Sequence, residues 1–166
     1  MKDLMHANDE KVKAALSKAK KKGDSTWVQP LLDAYAARHE DALREEMKIM
    51  LGSMKLSSAE QTFLDALVNP SLKHIKADIL GFLWSCGFTC EGNLSRVAGV
   101  ACEGDFQQAF EGATLIELSE TVVDEKDLLE AQVVVGEAIQ SEDKSNIRPL
   151  LEAMRNHLAS LHKAMQ

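Results

Sequence analysis

Residues 28–54 read VQPLLDAYAARHEDALREEMKIMLGSM, and the same pattern returns 32 positions later in residues 60–86, as EQTFLDALVNPSLKHIKADILGFLWSC. Each stretch holds two segments whose apolar residues recur at the spacing of an amphipathic helix. Both segments match at one and the same offset, and an offset of about 20–50 residues is typical of stacked repeats. The pattern therefore predicts an array of helix pairs. The matching positions are Leu32 and Leu64, Leu43 and Ile75, Met47 and Ile79, and Leu51 and Leu83.

The helical period continues outward from this stretch in both directions. A shift of about 31 residues aligns Phe106 and Phe110 of a third pair with the core positions Ile75 and Ile79. Residues 133–135 are three consecutive valines that could form a strand, but their flanks favour a helix. We therefore predict an all-α fold with about eight or nine helices. They are expected over residues 9–22, 25–38, 40–54, 58–68, 71–86, 91–103, 105–119, 124–140 and 145–165.

Three features of residues 24–86 resemble the HEAT repeats, which belong to the armadillo-type α-solenoids. The first helix has an early proline before an apolar pair, the turn combines acidic, apolar and basic residues, and the second helix has apolar residues at i, i+4, i+7/8 and i+11. The resemblance implies a right-handed α-α superhelix of three to four stacked antiparallel helix pairs. The residues that carry it are Pro30-Leu31-Leu32, Asp41-Ala42-Leu43-Arg44 and Ile75-Lys76.

A chain of 166 residues has the length of one ordinary domain and buries roughly 68–70% of its unfolded surface without a disulfide or a metal. The resemblance implies that residues 1–166 form a single HEAT-like domain. Its expected parts are an N-terminal capping helix at 1–23, units at 24–54, 57–87 and 91–120, and a C-terminal helix pair at 124–165.

The charge is unevenly distributed. The formal net charge is −7, but residues 101–143 contain twelve acidic residues and the single basic residue Lys126. This balance disfavours nucleic acid, which needs clustered basic residues, and it permits a basic protein partner. The candidate contacts in this acidic band are Glu111, Glu117 and Glu120.

Two further features have both a structural and a binding interpretation. Residues 18–22 contain four lysines, which either form the solvated end of a helix or contact an acidic partner. Trp84 either packs against the next helix pair or is an exposed anchor for a partner.

No catalytic motif is recognisable, and we predict no cofactor or metal site. Cys86 and Cys90 are spaced as metal ligands can be, with Cys102 and His74 nearby in the sequence, but the second closely spaced pair of a zinc site is missing. Buried thiols are the simpler interpretation. The first ten residues lack the apolar segment of a signal peptide, and no apolar run is long enough to span a membrane, so we expect a cytoplasmic protein without membrane contact.

The leading hypothesis is a small helical-repeat protein-interaction module or scaffold, and not an enzyme. The resemblance also allows a HEAT-like enzyme of the nucleic-acid glycosylase or lyase type, although the basic residues of a glycosylase groove are missing. The third possibility is a subunit of a larger helical assembly.

Overall fold

A computed structural model describes residues 1–39 and 41–165, and every regular element within them is helical. The predictions of an all-α fold and of eight or nine helices are therefore confirmed for the described chain. The helices are α1 (Asp9–Lys22), α2 (Val28–Ala37), α3 (Ala42–Gly52), α4 (Ser57–Leu67), α5 (Lys76–Ser85), α6 (Leu94–Glu103), α7 (Phe106–Glu117), α8 (Glu125–Gln140) and α9 (Arg148–Met165).

Local capping explains where several helices begin and end. The Asn8 side chain accepts a hydrogen bond from the backbone of Glu10 at the start of α1, and Gly23 ends this helix with a left-handed φ of 60°. Asp41 caps α3 by accepting from the backbone of Arg44, and this bond is the main reason why the pKa of Asp41 lies below its ordinary value.

The predicted boundaries differ from the observed ones mainly at four helix starts, those of α2, α5, α6 and α9, which begin three to five residues later than predicted. At two of these starts, residues predicted to be α-helical form short 3-10 turns instead. These turns are Ser25–Trp27, before α2, and Pro70–Ile75, before α5. Such turns are frequent at helix N-termini, where the first amides have no partner inside the helix. The predicted start of α3 at Glu40 lies outside the described residues. The three valines at 133–135 lie within α8, as predicted.

The helices form two compact units, Met1–Ile75 and Lys76–Gln166. In the first, α2 packs against α3 and α4, and α1 packs against α3. Arg38 joins the start of α1 to the start of α3, since its guanidinium lies 2.6 Å from the Asp9 carboxylate and 2.8 Å from that of Asp41. The guanidinium of Arg44 lies 3.9 Å from the centre of the Tyr35 ring.

In the second unit, α6 packs against both α7 and α8, while α7 also contacts α5 and α9. The α6–α7 contact is close at one point, because a Cβ on Gly112 would overlap the Cβ of Ala101. Asp127 of α8 is 7% exposed and caps α6 from outside that helix. Its carboxylate accepts from the backbone amides of Leu94 at 2.6 Å and Ser95 at 2.9 Å, and from the Ser95 hydroxyl.

The predicted orientation of α7 is wrong. Phe106 and Phe110 were expected in the core, yet they are 55% and 46% exposed. The face that α7 buries consists instead of Ala109, Gly112, Ala113, Leu115 and Ile116. Small residues on this face let α7 approach α6 closely, which large phenylalanine rings would prevent, and the helix is rotated accordingly.

Candidate functional site

The side chain of Trp84, near the end of α5, is 38% exposed, and its indole N–H donates to Oε2 of Glu111 on α7 at 2.6 Å. The structure thus brings together two residues that the sequence had singled out separately. Because its N–H is already bonded, the indole offers ring surface to a ligand rather than a hydrogen-bond donor.

The Glu111 carboxylate is held in place from two sides. Trp84 donates to one oxygen, and the side-chain amide of Gln107, one turn earlier on α7, donates to the other at 2.5 Å. Gly81 of α5 lies beside the carboxylate, since a Cβ there would be in ordinary van der Waals contact with Oε2, at 3.5 Å. The carboxylate is therefore a fixed negative group at the edge of an aromatic ring.

The two exposed phenylalanines lie on another part of the exposed side of α7, since Phe110 is about 100° and Phe106 about 140° around the helix axis from Glu111. The ring centres of Phe106 and Phe110 are 6.4 Å apart and their planes differ by 15°, so the rings are stacked. We call the group of Trp84, Phe106, Phe110 and Glu111 the aromatic platform. Large exposed apolar groups of this kind mark interaction sites more often than isolated ones do.

The other two acidic candidates are placed differently. Glu117 is exposed and is the last residue of α7, seven positions after Phe110, so it lies on the same helix face about 10 Å further along the axis. Glu120 is exposed and follows the end of the helix. The structure therefore associates Glu111 with Trp84, places Glu117 beyond the platform, and leaves Glu120 outside the helix.

Sequence reasoning missed Phe106 and Phe110 as surface residues. The signal that could have identified them is the run of small residues at 109, 112 and 113, which share one side of a helical wheel. Such a stripe permits close helix packing and can compete with aromatic residues for the buried face.

The three cysteines are buried, with exposures of 4% for Cys86, 1% for Cys90 and 6% for Cys102, so the prediction of buried thiols is confirmed. Burial raises the pKa of the Cys102 thiol to about 11. In the described part of the chain, no three or more His, Cys, Asp or Glu side chains are grouped so that they could hold a metal ion.

The raised pKa of Cys102 predicts that its thiol reacts slowly with alkylating reagents. At pH 8, Cys102 should react with a maleimide at least about a hundredfold more slowly in the folded chain than in urea, because the thiolate is the reactive form and its fraction falls tenfold per pKa unit. Mass spectrometry of the labelled peptides measures each cysteine separately. Rapid labelling of Cys102 in the folded chain would contradict the burial seen here.

A shallow depression of about 240 Å³ in the first unit is lined by Asp33, Ser71 and His74, a combination of residue types known from hydrolases. Here the Ser71 hydroxyl donates to Oδ1 of Asn69 at 2.8 Å, and Nε2 of His74 lies 3.0 Å from the carbonyl oxygen of Ala36. The serine and histidine are thus engaged with other groups, and the depression does not have the geometry of a catalytic relay.

An open groove of about 430 Å³ in the second unit is lined mainly by α8. Leu129 and Val133 are exposed along it, by 41% and 59%. Its two charged lining residues, Lys126 and Glu130, lie 3.6 Å apart and pair with each other. The groove therefore offers apolar contact area, but without the unbalanced charge found at the aromatic platform.

The lysines near the end of α1, Lys18, Lys20, Lys21 and Lys22, are exposed, as expected for a solvated helix end. None of the described helices has both the length and the apolar character of a membrane-spanning segment. In comparisons with protein-family models, curated proteins and solved structures, nothing matched this chain.

Proposed function

We propose that this chain is a helical-repeat protein-interaction module, and that its aromatic platform binds a basic segment of a partner protein. The observation that carries the proposal is the exposure of Trp84, which is bonded to the fixed carboxylate of Glu111, together with that of Phe106 and Phe110 on the same helix as Glu111. Tryptophan is strongly enriched among the residues that dominate binding energy at protein interfaces.

The packing of the second unit supports the helical-repeat part of the proposal. The consecutive helices α6 and α7 pack together, as do α8 and α9, while α6 contacts α8 and α7 contacts α9. Stacked helix pairs make this set of contacts, and such arrays present extended surfaces to partners.

The charge of the acidic band supports a basic partner. Residues 101–143 have twelve acidic side chains and one lysine, and the platform lies largely within this segment. A negative surface attracts a basic partner over a distance of about 8–10 Å at physiological salt, and it repels the phosphates of nucleic acid.

Replacing Trp84 by Ala is expected to weaken partner binding by about tenfold or more, because truncating a central aromatic anchor typically costs over 1 kcal/mol. The measurement is quantitative affinity purification with crosslinking, comparing the proteins retained by the wild type and by the variant. Circular dichroism verifies that the variant is folded.

Ile49→Ala is the matched control, since Ile49 is 63% exposed but lies on α3 of the first unit. Partners should be retained by this variant and lost with Trp84→Ala. If both variants retain the same proteins as the wild type, the platform is not the binding surface. If the wild type retains no specific partner at physiological salt, the interaction function itself is refuted.

A further inference from the structure

The open groove along α8 belongs to a helix face that stays exposed over about three turns. Between residues 126 and 137, five positions lie within one sector of about 100° on this face. We call them the α8 stripe: Lys126, Leu129, Val133, Gly136 and Glu137. Leu129 and Val133 supply apolar surface at its centre, and opposite charges stand at its two ends. A surface of this composition suits another helix face that has charges at matching positions.

The charges of the α8 stripe are complementary to those of a reversed copy of it. Lys126, at the start, is the single basic residue of segment 101–143. It lies 3.6 Å from the Glu130 carboxylate of its own chain. Glu137, at the other end, is exposed and has no basic partner among the described side chains. In a two-fold interface each residue of one copy meets a different residue of the other reciprocally, so a surface with both signs of charge can pair with itself.

We propose that α8 pairs with α8 of a second copy of this chain, antiparallel and about a two-fold axis. The inference goes beyond the proposed binding of a basic partner and does not depend on it. The apolar side chains at the centre of the α8 stripe form the contact, and the charges at its ends determine the direction of the pair.

The spacing of the stripe gives this pair a definite register. With the two-fold axis at the level of Ala131, Leu129 lies at the height of Val133 of the second copy, and the reverse contact is identical. Lys126 then lies within about 1.5 Å, along the helix axis, of the height of Glu137 of the second copy. Both charges are on the same flank of the stripe, about 20° and 40° around the axis from Val133, and an antiparallel two-fold arrangement keeps them on one flank. Two interchain ion pairs therefore form.

Gly136 makes room for these ion pairs. It lies at the height of Lys126 of the second copy, and the space around its Cβ position is open. The lysine stem can therefore pass over Gly136 and bring the ammonium to Glu137. A parallel pair would instead bring each charge to the height of the same charge in the second copy, without an opposite partner.

A second copy fits this surface better than the basic partner proposed for the aromatic platform. A basic segment would meet the Lys126 ammonium here and would be repelled by it. Two copies of a chain with a formal net charge of −7 repel each other in general, so their contact gains most where a basic residue is available. Within the acidic band, Lys126 is that residue.

The size of the contact predicts a weak dimer. One pair of helices about four turns long buries less than the roughly 800 Å² per partner of a standard stable interface. We therefore expect a dissociation constant of roughly 0.1 mM, and a dimer that forms reversibly at high protein concentration.

The test is sedimentation velocity of the full-length chain at physiological salt, from about 10 μM to about 1 mM, on both sides of the expected dissociation constant. The wild type should pass from monomer to dimer over this range. Val133→Glu should weaken association at least about tenfold, because it places a carboxylate of each copy in the apolar centre of the interface. Circular dichroism verifies that the variants are folded.

Val68→Glu is the matched control, since Val68 is 56% exposed, against 59% for Val133, and belongs to the first unit. It adds the same charge away from α8 and should change the dissociation constant by less than about twofold.

Charge variants test the antiparallel arrangement. Lys126→Glu and Glu137→Lys should each weaken the dimer by at least about threefold, because two attractive interchain pairs become repulsive. Glu137→Lys is the sharper of the two, since it lowers the net negative charge and would favour association if only the overall charge mattered. The double variant exchanges the charges within both pairs and should recover the wild-type affinity to within about twofold.

Three results would overturn the proposal. The first is a chain that stays monomeric up to about 1 mM, and the second is a dimer that Val133→Glu and Val68→Glu affect equally. The third is a double charge variant that associates no better than the single ones. Trp84→Ala should leave the dimer intact; if it dissociates the dimer while Val133→Glu does not, the copies associate through the aromatic platform and the α8 assignment is wrong.

Discussion

Replacing Gly112 by Ala is expected to lower the free energy of unfolding of the second unit by about 2 kcal/mol, in spite of the better helix propensity of alanine. An added Cβ would overlap the Cβ of Ala101 and lie 3.3 Å from its Cα. Because both obstacles belong to or adjoin the α6 backbone, α6 and α7 must move apart, which loosens the contacts that both helices make elsewhere.

Urea unfolding followed by the fluorescence of Trp84 measures this effect in the second unit, once Trp27 has been replaced by Phe in every variant compared. Gly99→Ala is the matched control, because Gly99 also lies within a helix of this unit but has open space around its Cβ position. That variant should be stabilised by up to about 1 kcal/mol.

The double variant Gly112→Ala with Ala101→Gly tests whether the contact itself is responsible. Removing the opposing methyl group should restore part of the lost stability, so the two changes should not be additive. Additive effects, or a Gly112→Ala variant as stable as Gly99→Ala, would contradict the close approach of α6 and α7.

Replacing Asp127 by Ala is expected to lower the free energy of unfolding by about 3 kcal/mol, the second large effect. The Asp127 carboxylate accepts hydrogen bonds from two backbone amides and one hydroxyl at the start of α6. Its removal leaves the Leu94 amide as a buried donor without a partner, and Leu94 is 2% exposed. The loss of the negative charge at a helix N-terminus adds to this cost.

Asp124→Ala provides the comparison for this residue. Asp124 is an exposed N-cap of α8 and accepts from the backbone of Lys126 at 2.9 Å, so its removal should cost only about 1 kcal/mol. Equal losses in urea unfolding for the two variants would show that the α6 cap is not formed by Asp127.

The helices could be predicted from sequence because their signals are local. Residues 9–22 were predicted as a helix and form α1 with those limits, since the apolar spacing lies within the segment and the Asn8 cap and the Gly23 stop directly adjoin it. The valines at 133–135 were assigned to α8 by their flanks, and the surrounding helix overrides their β-propensity.

The rotation of α7 could not be predicted from the repeat. Aligning Phe106 with Ile75 assumes that equivalent helices bury equivalent faces. Gly112 breaks that equivalence, because the absence of a side chain at this position lets α7 pack closely against Ala101 of α6. This close packing requires the small residues of α7 to face α6. Which of two apolar faces is buried depends on the neighbouring helix and not on the period.

The candidate site was predicted in part. Trp84 and Glu111 were each singled out, but as an isolated aromatic residue and as one of several acids. Their hydrogen bond joins residues 27 positions apart, so it depends on the register between α5 and α7. No local pattern in the sequence encodes that register.

The cap that Asp127 forms on α6 also limits where this chain can be divided. Arrays of helix pairs are commonly shortened or extended by whole pairs, because each pair contacts only its neighbours. A cut between α7 and α8 would remove the carboxylate that completes the start of α6, two helices upstream. For protein engineering, a graft or truncation that keeps α6 must therefore also keep α8 or supply a new cap for α6.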